Sequence, residues 1–245
     1  MSVLYGINAV AEAIKASPEK VEHICVERGQ KNPRIQEIID LARQSHIRIS
    51  FEERSWLDRK SEGARHQGIL CLAAEMATLD AEDILAQAKS PGLLVILDGI
   101  EDPHNLGAIL RSAEAAGADG VILPQHRSAA LSAAVVKASA GAASHIKLAR
   151  VANIAQLVES LKSKGYWTAG LDAAGDTTIW DIDLTVPMAL ILGSEGSGLH
   201  RLVKERCDFV VSLPIRGAVS SYNVSVSAGI ALYEALRQRT LKGNK

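Results

Sequence analysis

From Leu93 to Leu97 the chain reads Leu-Leu-Val-Ile-Leu, with the charged Asp98 directly after. An unbroken apolar run of this length marks a strand covered on both faces, as in a parallel sheet; an open face would show alternation. Further strands are legible at Gly120–Leu123, Ile146–Val151, Trp167–Leu171, Ala189–Leu192 and Phe209–Leu213. Helical spacing fills most of the gaps: Leu106 to Ala116, "NIAQLVESLKSKG" with Asn153 to cap it and Gly165 to end it, and "HRLVKERC". The long closing helix is "VSVSAGIALYEALRQRTL". Such alternation predicts an α/β fold, a parallel sheet with helices on both faces.

The stretch up to about Glu75 carries an alternation of its own. "GINAVAEAIKA" is helical, "VEHICVE" strand-like, and "PRIQEIIDLARQSH" an amphipathic helix opened by Pro33. "IRISFEE" alternates, "SWLDRKS" is a short helix, and "GARHQG" turns the chain into a last strand in "HQGILCLAA". A polar helical connector, "EMATLDAEDILAQAKSPG", ends at Pro91-Gly92. The expected organisation is a small α/β domain over 1–75, a linker over 76–92 and a larger α/β domain over 93–245. No internal repeat is visible.

Composition narrows the function classes. With 245 residues, 47% hydrophobic and 22% charged, the chain has enough apolar material for a substantial core. Aromatic residues make up only 4%, which argues against stacking platforms for single-stranded nucleic acid, and a net charge of −1 requires any basic footprint to be local. Cys25, Cys71 and Cys207 lie far apart without metal-ligand spacing and are expected as buried free thiols in a reducing compartment. No secretory leader pattern and no apolar run of about 18 residues is present, so the expected location is the cytoplasm.

Three loops stand out because each follows a buried strand, and ligands of open α/β sheets gather at the carboxyl ends of strands. The first is "DGIEDPHNLGAILRS", where Asn105 reads as a helix cap and Arg111, on the first or second helical turn, could reach back toward a phosphate or ribose oxygen. The second is "LILGSEGSGLHR", whose glycines fit neither a Walker loop nor the dinucleotide fingerprint and surround a single carboxylate, Glu195. The third is "LPIRGAVSSYNVSVSAG", rich in Ser and Asn before the last helix. Each loop alone also reads as an ordinary capped turn; their shared place at strand ends favours chemistry.

In this order, the three stretches resemble the motifs of the SpoU (TrmH-type) branch of the SPOUT methyltransferases, from about Leu93 to the C-terminus. "YGINAVAEAI" and "HQGI" are similar to the small RNA-binding domain of its ribosomal-RNA members. The resemblance implies a deep trefoil knot in the C-terminal domain, a homodimer, and S-adenosylmethionine, without a metal, as methyl donor. It implies cofactor contacts at Gly193, Leu213 and Tyr222, where the family usually has Leu in place of Tyr222. It also implies catalytic or substrate-contacting roles for Asn105, Arg111, Glu195, Ser221 and Asn223. The implied reaction is 2′-O-methylation of a guanosine in 23S ribosomal RNA; the alternatives are a transfer-RNA substrate or a non-catalytic ribosome-assembly factor. A dinucleotide-dependent oxidoreductase is disfavoured, because no fingerprint opens the sheet.

Methyl transfer needs an aligned 2′-oxygen and stabilisation of the oxyanion that forms. Asn105 and Asn223 can supply hydrogen bonds, Glu195 can orient Arg111 or the asparagines, and Ser221 can donate to cofactor or substrate. A guanidinium rarely loses its proton, so Arg111 is expected to remain a cation that clamps a phosphate and lowers the energy of the alkoxide. Arg127 and Arg216 are candidate RNA contacts. Arg54, Arg59, Lys60, Arg65 and His66 form either a basic face or, with Glu52, Glu53, Asp58 and Glu62 interleaved, a solvated mixed one.

Overall fold

The computed structural model describes residues 2–16, 18–61, 63, 65–73, 78–129, 131 and 133–243. The chain divides into two compact units, Met1–Ala77 with Ala130–His145, and Thr78–Ala129 with Ile146–Lys245. Glu62 and the first residues of the expected linker lie outside the described residues.

In the first unit, β1 (Ser2–Tyr5), β2 (Val21–Glu27), β3 (Arg48–Glu52) and β4 (Ile69–Ala73) form one sheet in the order β1-β4-β2-β3. Strands β2 and β3 are parallel, and β4 is antiparallel to β1 and β2. Helices α1 (Ile7–Ala16), α2 (Pro33–Gln44) and α3 (Arg54–Lys60) alternate with them. Asn32 caps α2 by accepting from the Arg34 N–H, Pro33 opens it, and Ile35, Ile38, Ile39 and Ala42 form its buried stripe. Strand β1 went unforeseen: four residues before a glycine are too short for a period to register, and pairing with β4 creates the strand. Cys25 and Cys71 are buried free thiols, as expected, and burial pushes Cys71 up to about 12.

The expected basic face loses one member. His66 is only 4% exposed; its Nδ1 accepts the Gly68 N–H at 3.0 Å and its Nε2 faces Asp58 Oδ1 at 2.9 Å. The ring is spent on holding the turn before β4. Arg54 pairs with Glu27, and Arg28 with Glu53, so opposite charges interleave at this surface.

The second unit begins with α4 (Ala81–Ala86), β5 (Leu93–Asp98), α5 (Pro103–Ala115) and β6 (Gly120–Pro124). The chain then passes through α6 (Ala133–Ala138), which groups with the first unit. It returns as β7 (Leu148–Val151), α7 (Ile154–Ser163), β8 (Trp167–Leu171), β9 (Thr177–Thr178) and β10 (Met188–Gly193). It ends with α8 (Arg201–Arg206), β11 (Phe209–Ser212) and α9 (Val224–Gly243). The sheet order is β7-β6-β5-β10-β8-β11-β9, and every pair is parallel.

Both central strands are buried along their whole length, as the apolar runs predict. Leu94, Ile96, Ile122, Ala189 and Ile191 pack on one face with Ile84, Ile154, Val158, Leu161 and Val203 from α4, α7 and α8. Alternation turns Leu93, Val95 and Leu97 to the other face. There α5 and α9 pack on each other and against β6 and β10. Arg239 of α9 ties that helix to the sheet: its guanidinium donates to the carbonyls of Pro91, Gly92, Leu184 and Val186. Among the described residues, no helix is long and apolar enough to cross a membrane.

Register sets the site. Asp98 lies opposite Gly193, Leu192 opposite Leu171, and Leu171 opposite Val211, so β5, β10, β8 and β11 end at one edge. Gly193 admits no side chain there: a Cβ would fall 2.1 Å from the Gly198 carbonyl carbon and 2.2 Å from the Leu199 nitrogen. Both obstacles are backbone. Gly193→Ala is therefore expected to cost about 3 kcal/mol or more in urea unfolding; an unchanged midpoint would contradict this packing.

Asp208 holds the start of β11 against β8. Its Oδ2 accepts the Thr168 N–H and Oγ1–H at 2.9 and 2.8 Å, and its Oδ1 pairs with Lys162 at 2.8 Å. Burial works to raise this carboxyl, but the bonds from Lys162 and Thr168 outweigh it and hold the group below its usual 3.8. A depressed folded-state pKa stabilises above the unfolded value and is lost as pH falls through the folded one. Asp208→Ala should cost about 2 kcal/mol at pH 7, and the gap from the parent should shrink below about pH 4. Urea titrations at both pH values check this.

Candidate active site

The glycine-rich segment after β10 is a closed hairpin. Ser194 N–H donates to the Gly198 carbonyl and Gly198 N–H to the Ser194 carbonyl, both at 3.0 Å. Gly196 and Gly198 take φ values of +88 and +66, a left-handed conformation that suits glycine. Glu195 projects from this hairpin between the starts of α5 and α9. Its Oε1 accepts from Asn105 Nδ2 at 2.8 Å and from Asn223 Nδ2 at 2.6 Å. Asn223 Nδ2 also lies 3.1 Å from Asn105 Oδ1. The structure thus brings one residue from each of the three loops into a single cluster.

Each member is held locally. Asn105 is 7% exposed, and it does not cap α5 as the sequence suggests. Asp102 is the cap, accepting the His104 N–H, and Pro103 occupies the first turn, which moves the helix start upstream. Asn223 does cap α9: its Oδ1 accepts the Ser225 N–H at 2.9 Å and the Ser225 hydroxyl at 2.6 Å.

Two hollows meet at this cluster. The first, of about 490 Å³, is lined by Gly193, Leu213, Ser221 and Tyr222 together with Asp172 and Glu195. The second, of about 590 Å³, is lined by Asp102, Asn105, Arg127, Glu195 and His200 among others. They share Ser194, Glu195, Ser197 and Val224. Both volumes are in the range of small-molecule sites.

The first hollow therefore gathers all three expected cofactor contacts. The second holds Asn105 and Arg127. Arg111 lines neither: it is exposed, and it lies in the third turn of α5, roughly 12 Å along the axis from Pro103 at 1.5 Å per residue. Glu195 accordingly orients the asparagines and not Arg111. Arg216, also exposed, lines neither hollow.

Sequence reasoning missed Asp172 and the pair Asp98–His200. Asp172 directly follows β8 and lines the first hollow. Burial works to raise its carboxyl, but hydrogen bonds from Lys204, at 2.9 Å, and the Ala174 N–H hold it below the usual value. Asp98 and Asp172 are the first charged residues after apolar strand runs, and the strand-end rule applied to single residues would have found them.

Comparison with known proteins follows the same division. Residues 92–233 match the model of the SpoU rRNA Methylase family, and residues 3–78 match the model described as RNA 2′-O ribose methyltransferase substrate binding. The 23S rRNA (guanosine-2′-O-)-methyltransferase RlmB of Pseudomonas syringae pv. tomato is 42% identical, covering 98% of this chain and 96% of its own. RlmB of Escherichia coli K12 is 41% identical, covering 97% and 99%. Among solved structures, the SpoU methyltransferase AviRb from Streptomyces viridochromogenes, in complex with AdoMet, aligns with a TM-score of 0.83 at 26% identity, covering 97% of this chain and 90% of its own. Motifs, two-part architecture and relatives agree: the chain belongs to the SpoU rRNA methylase family.

Proposed function

We propose that this protein transfers a methyl group from AdoMet to the ribose 2′-oxygen of a guanosine in 23S ribosomal RNA. The observation that carries the reading is the cluster of Glu195, Asn105 and Asn223 where two hollows adjoin. The name of the 42%-identical relative supports the substrate, and the AdoMet complex of AviRb supports the donor.

The residues present fit that donor. The first hollow is lined by Glu195 and by Asp172, the latter paired with Lys204 just outside the lining, and, among the described residues, by no Lys or Arg, which suits a ligand with a cationic sulfonium. Gly193, Leu213 and Tyr222 would hold it, largely through main-chain groups. When bound, AdoMet supplies an electrophilic methyl group. Asn105 and Asn223, pre-oriented by Glu195, would direct hydrogen bonds toward the substrate ribose, and Ser221 would donate to donor or ribose. Such preorganisation lowers the barrier because the donors need not reorganise as charge develops.

Arg111 is assigned to the RNA. Its guanidinium is exposed and has no hydrogen-bond or ion-pair partner among the described residues, which leaves it open to an external phosphate. There it would remain cationic, clamp the phosphate and so hold the RNA in place for transfer. The unit containing 1–75 would grip the ribosomal RNA, with 93–245 as the knotted methyltransferase domain. A homodimer in the cytoplasm completes the reading.

The main rival is a transfer RNA as substrate, and a direct comparison separates the two. Undermethylated 23S RNA should accept labelled methyl from AdoMet at the 2′-position of one guanosine, and purified transfer RNA should not. Arg111→Ala should lower turnover about 10²- to 10³-fold while calorimetry shows AdoMet affinity within about twofold. Methyl transfer to transfer RNA alone, or full activity in Arg111→Ala, would refute the corresponding assignment.

A further inference from the structure

Asp98, the last residue of β5, is 5% exposed and spends both carboxylate oxygens on one residue. Its Oδ2 accepts the His200 backbone N–H at 2.8 Å, and its Oδ1 lies 2.9 Å from His200 Nδ1. The His200 side chain is 53% exposed and lines the second hollow. An ionised carboxylate only accepts, so the Nδ1 proton is committed to Asp98 and the ring orientation is set. Nε2 makes no hydrogen bond among the described residues. A buried acid at the tip of a central strand thus presents one imidazole nitrogen to a hollow beside the expected donor site.

Arg127 lines the same hollow. Gly99 lies between them: a Cβ there would be 3.6 Å from His200 Cε1 and 4.0 Å from the Arg127 carbonyl oxygen. Arg127 is exposed and has no partner among the described residues, and it holds a left-handed backbone with φ of 54. The acids lining the hollow are mostly engaged. Glu195 receives the two asparagines, and Asp102 caps α5, which leaves Glu101. Among the described residues, the lining of this hollow therefore offers an unpaired cation, Arg127, and one fixed hydrogen-bond acceptor, His200 Nε2.

We propose that the second hollow seats the nucleotide to be methylated, with Arg127 pairing with its phosphate and His200 Nε2 accepting a hydrogen bond from it. The pair acts by positioning and takes no part in the bond exchange. This rests on the proposed RNA methyl transfer and adds the group that holds the acceptor. The donor facing Nε2 is a base N–H, which guanine carries at N1 and at the 2-amino group.

The test uses the full chain with a 23S fragment containing the target guanosine. Binding is measured in the presence of S-adenosylhomocysteine, separately from turnover. His200→Ala and Arg127→Ala should each weaken RNA binding and raise the RNA KM about tenfold, with AdoMet affinity within about twofold. Arg127→Ala should also reduce the salt slope of binding by about one. Asp98→Asn should raise the RNA KM less than His200→Ala, because the ring remains but is no longer fixed.

Inosine at the target removes the exocyclic 2-amino group and keeps N1–H: a loss matching that of His200→Ala, and absent in the His200→Ala background, assigns the contact to the amino group. No loss on inosine, with the alanine effect intact, assigns it to N1–H. RNA affinity unchanged in both alanine variants, with native circular dichroism, overturns the proposal. If the parent binds the fragment but transfers no methyl, the methyl-transfer reading fails while the binding arms still decide this one.

Discussion

One carboxylate oxygen, Glu195 Oε1, receives amide donors from Asn105 and Asn223, and this shared acceptor joins three loops that are far apart in the chain. Glu195 and Asn223 are exposed and Asn105 is buried, so the carboxylate satisfies a buried amide that would otherwise lack a partner for that donor. The interaction exists only because β5, β10 and β11 end at one edge of a parallel sheet. That edge follows in turn from the buried pairing of Leu93–Asp98 with Met188–Gly193. Local sequence, sheet register and the polar cluster form one chain of cause.

The glycines of the second loop make that chain sterically feasible. Gly193 lets the strand end touch the returning backbone, and Gly196 and Gly198 let the hairpin close within five residues. Without this tight return, Glu195 would not be presented between the starts of α5 and α9. The same closure separates the two hollows and gives them a common wall of Ser194, Glu195, Ser197 and Val224. Two adjacent compartments with a polar wall suit a reaction that joins two bound molecules.

Much of this was legible in the residues. The six principal strands of the larger sheet were read to within two residues at each end, most plainly β5 and β10, whose full burial leaves no alternative pattern. Asn153 and Pro33 marked helix starts through local chemistry. What escaped lacked a local signal. Strands β1 and β9 are too short to show a period and exist through their partners. Asn105 looked like a cap because Asn commonly is one, yet Asp102 followed by Pro103 takes that role and frees Asn105 for Glu195. The dedication of Asp98 to His200 joins residues 102 positions apart, and no spacing rule reaches that far.

The central claim is that Asn105, Glu195 and Asn223 act as one unit. Single, double and triple alanine variants of these residues, assayed for single-turnover methyl transfer at saturating AdoMet, test it directly. A unit predicts strong non-additivity: each single loses about 10²-fold, and the triple loses little more than the worst single. Losses that multiply across the three positions would mean independent roles and would contradict the account.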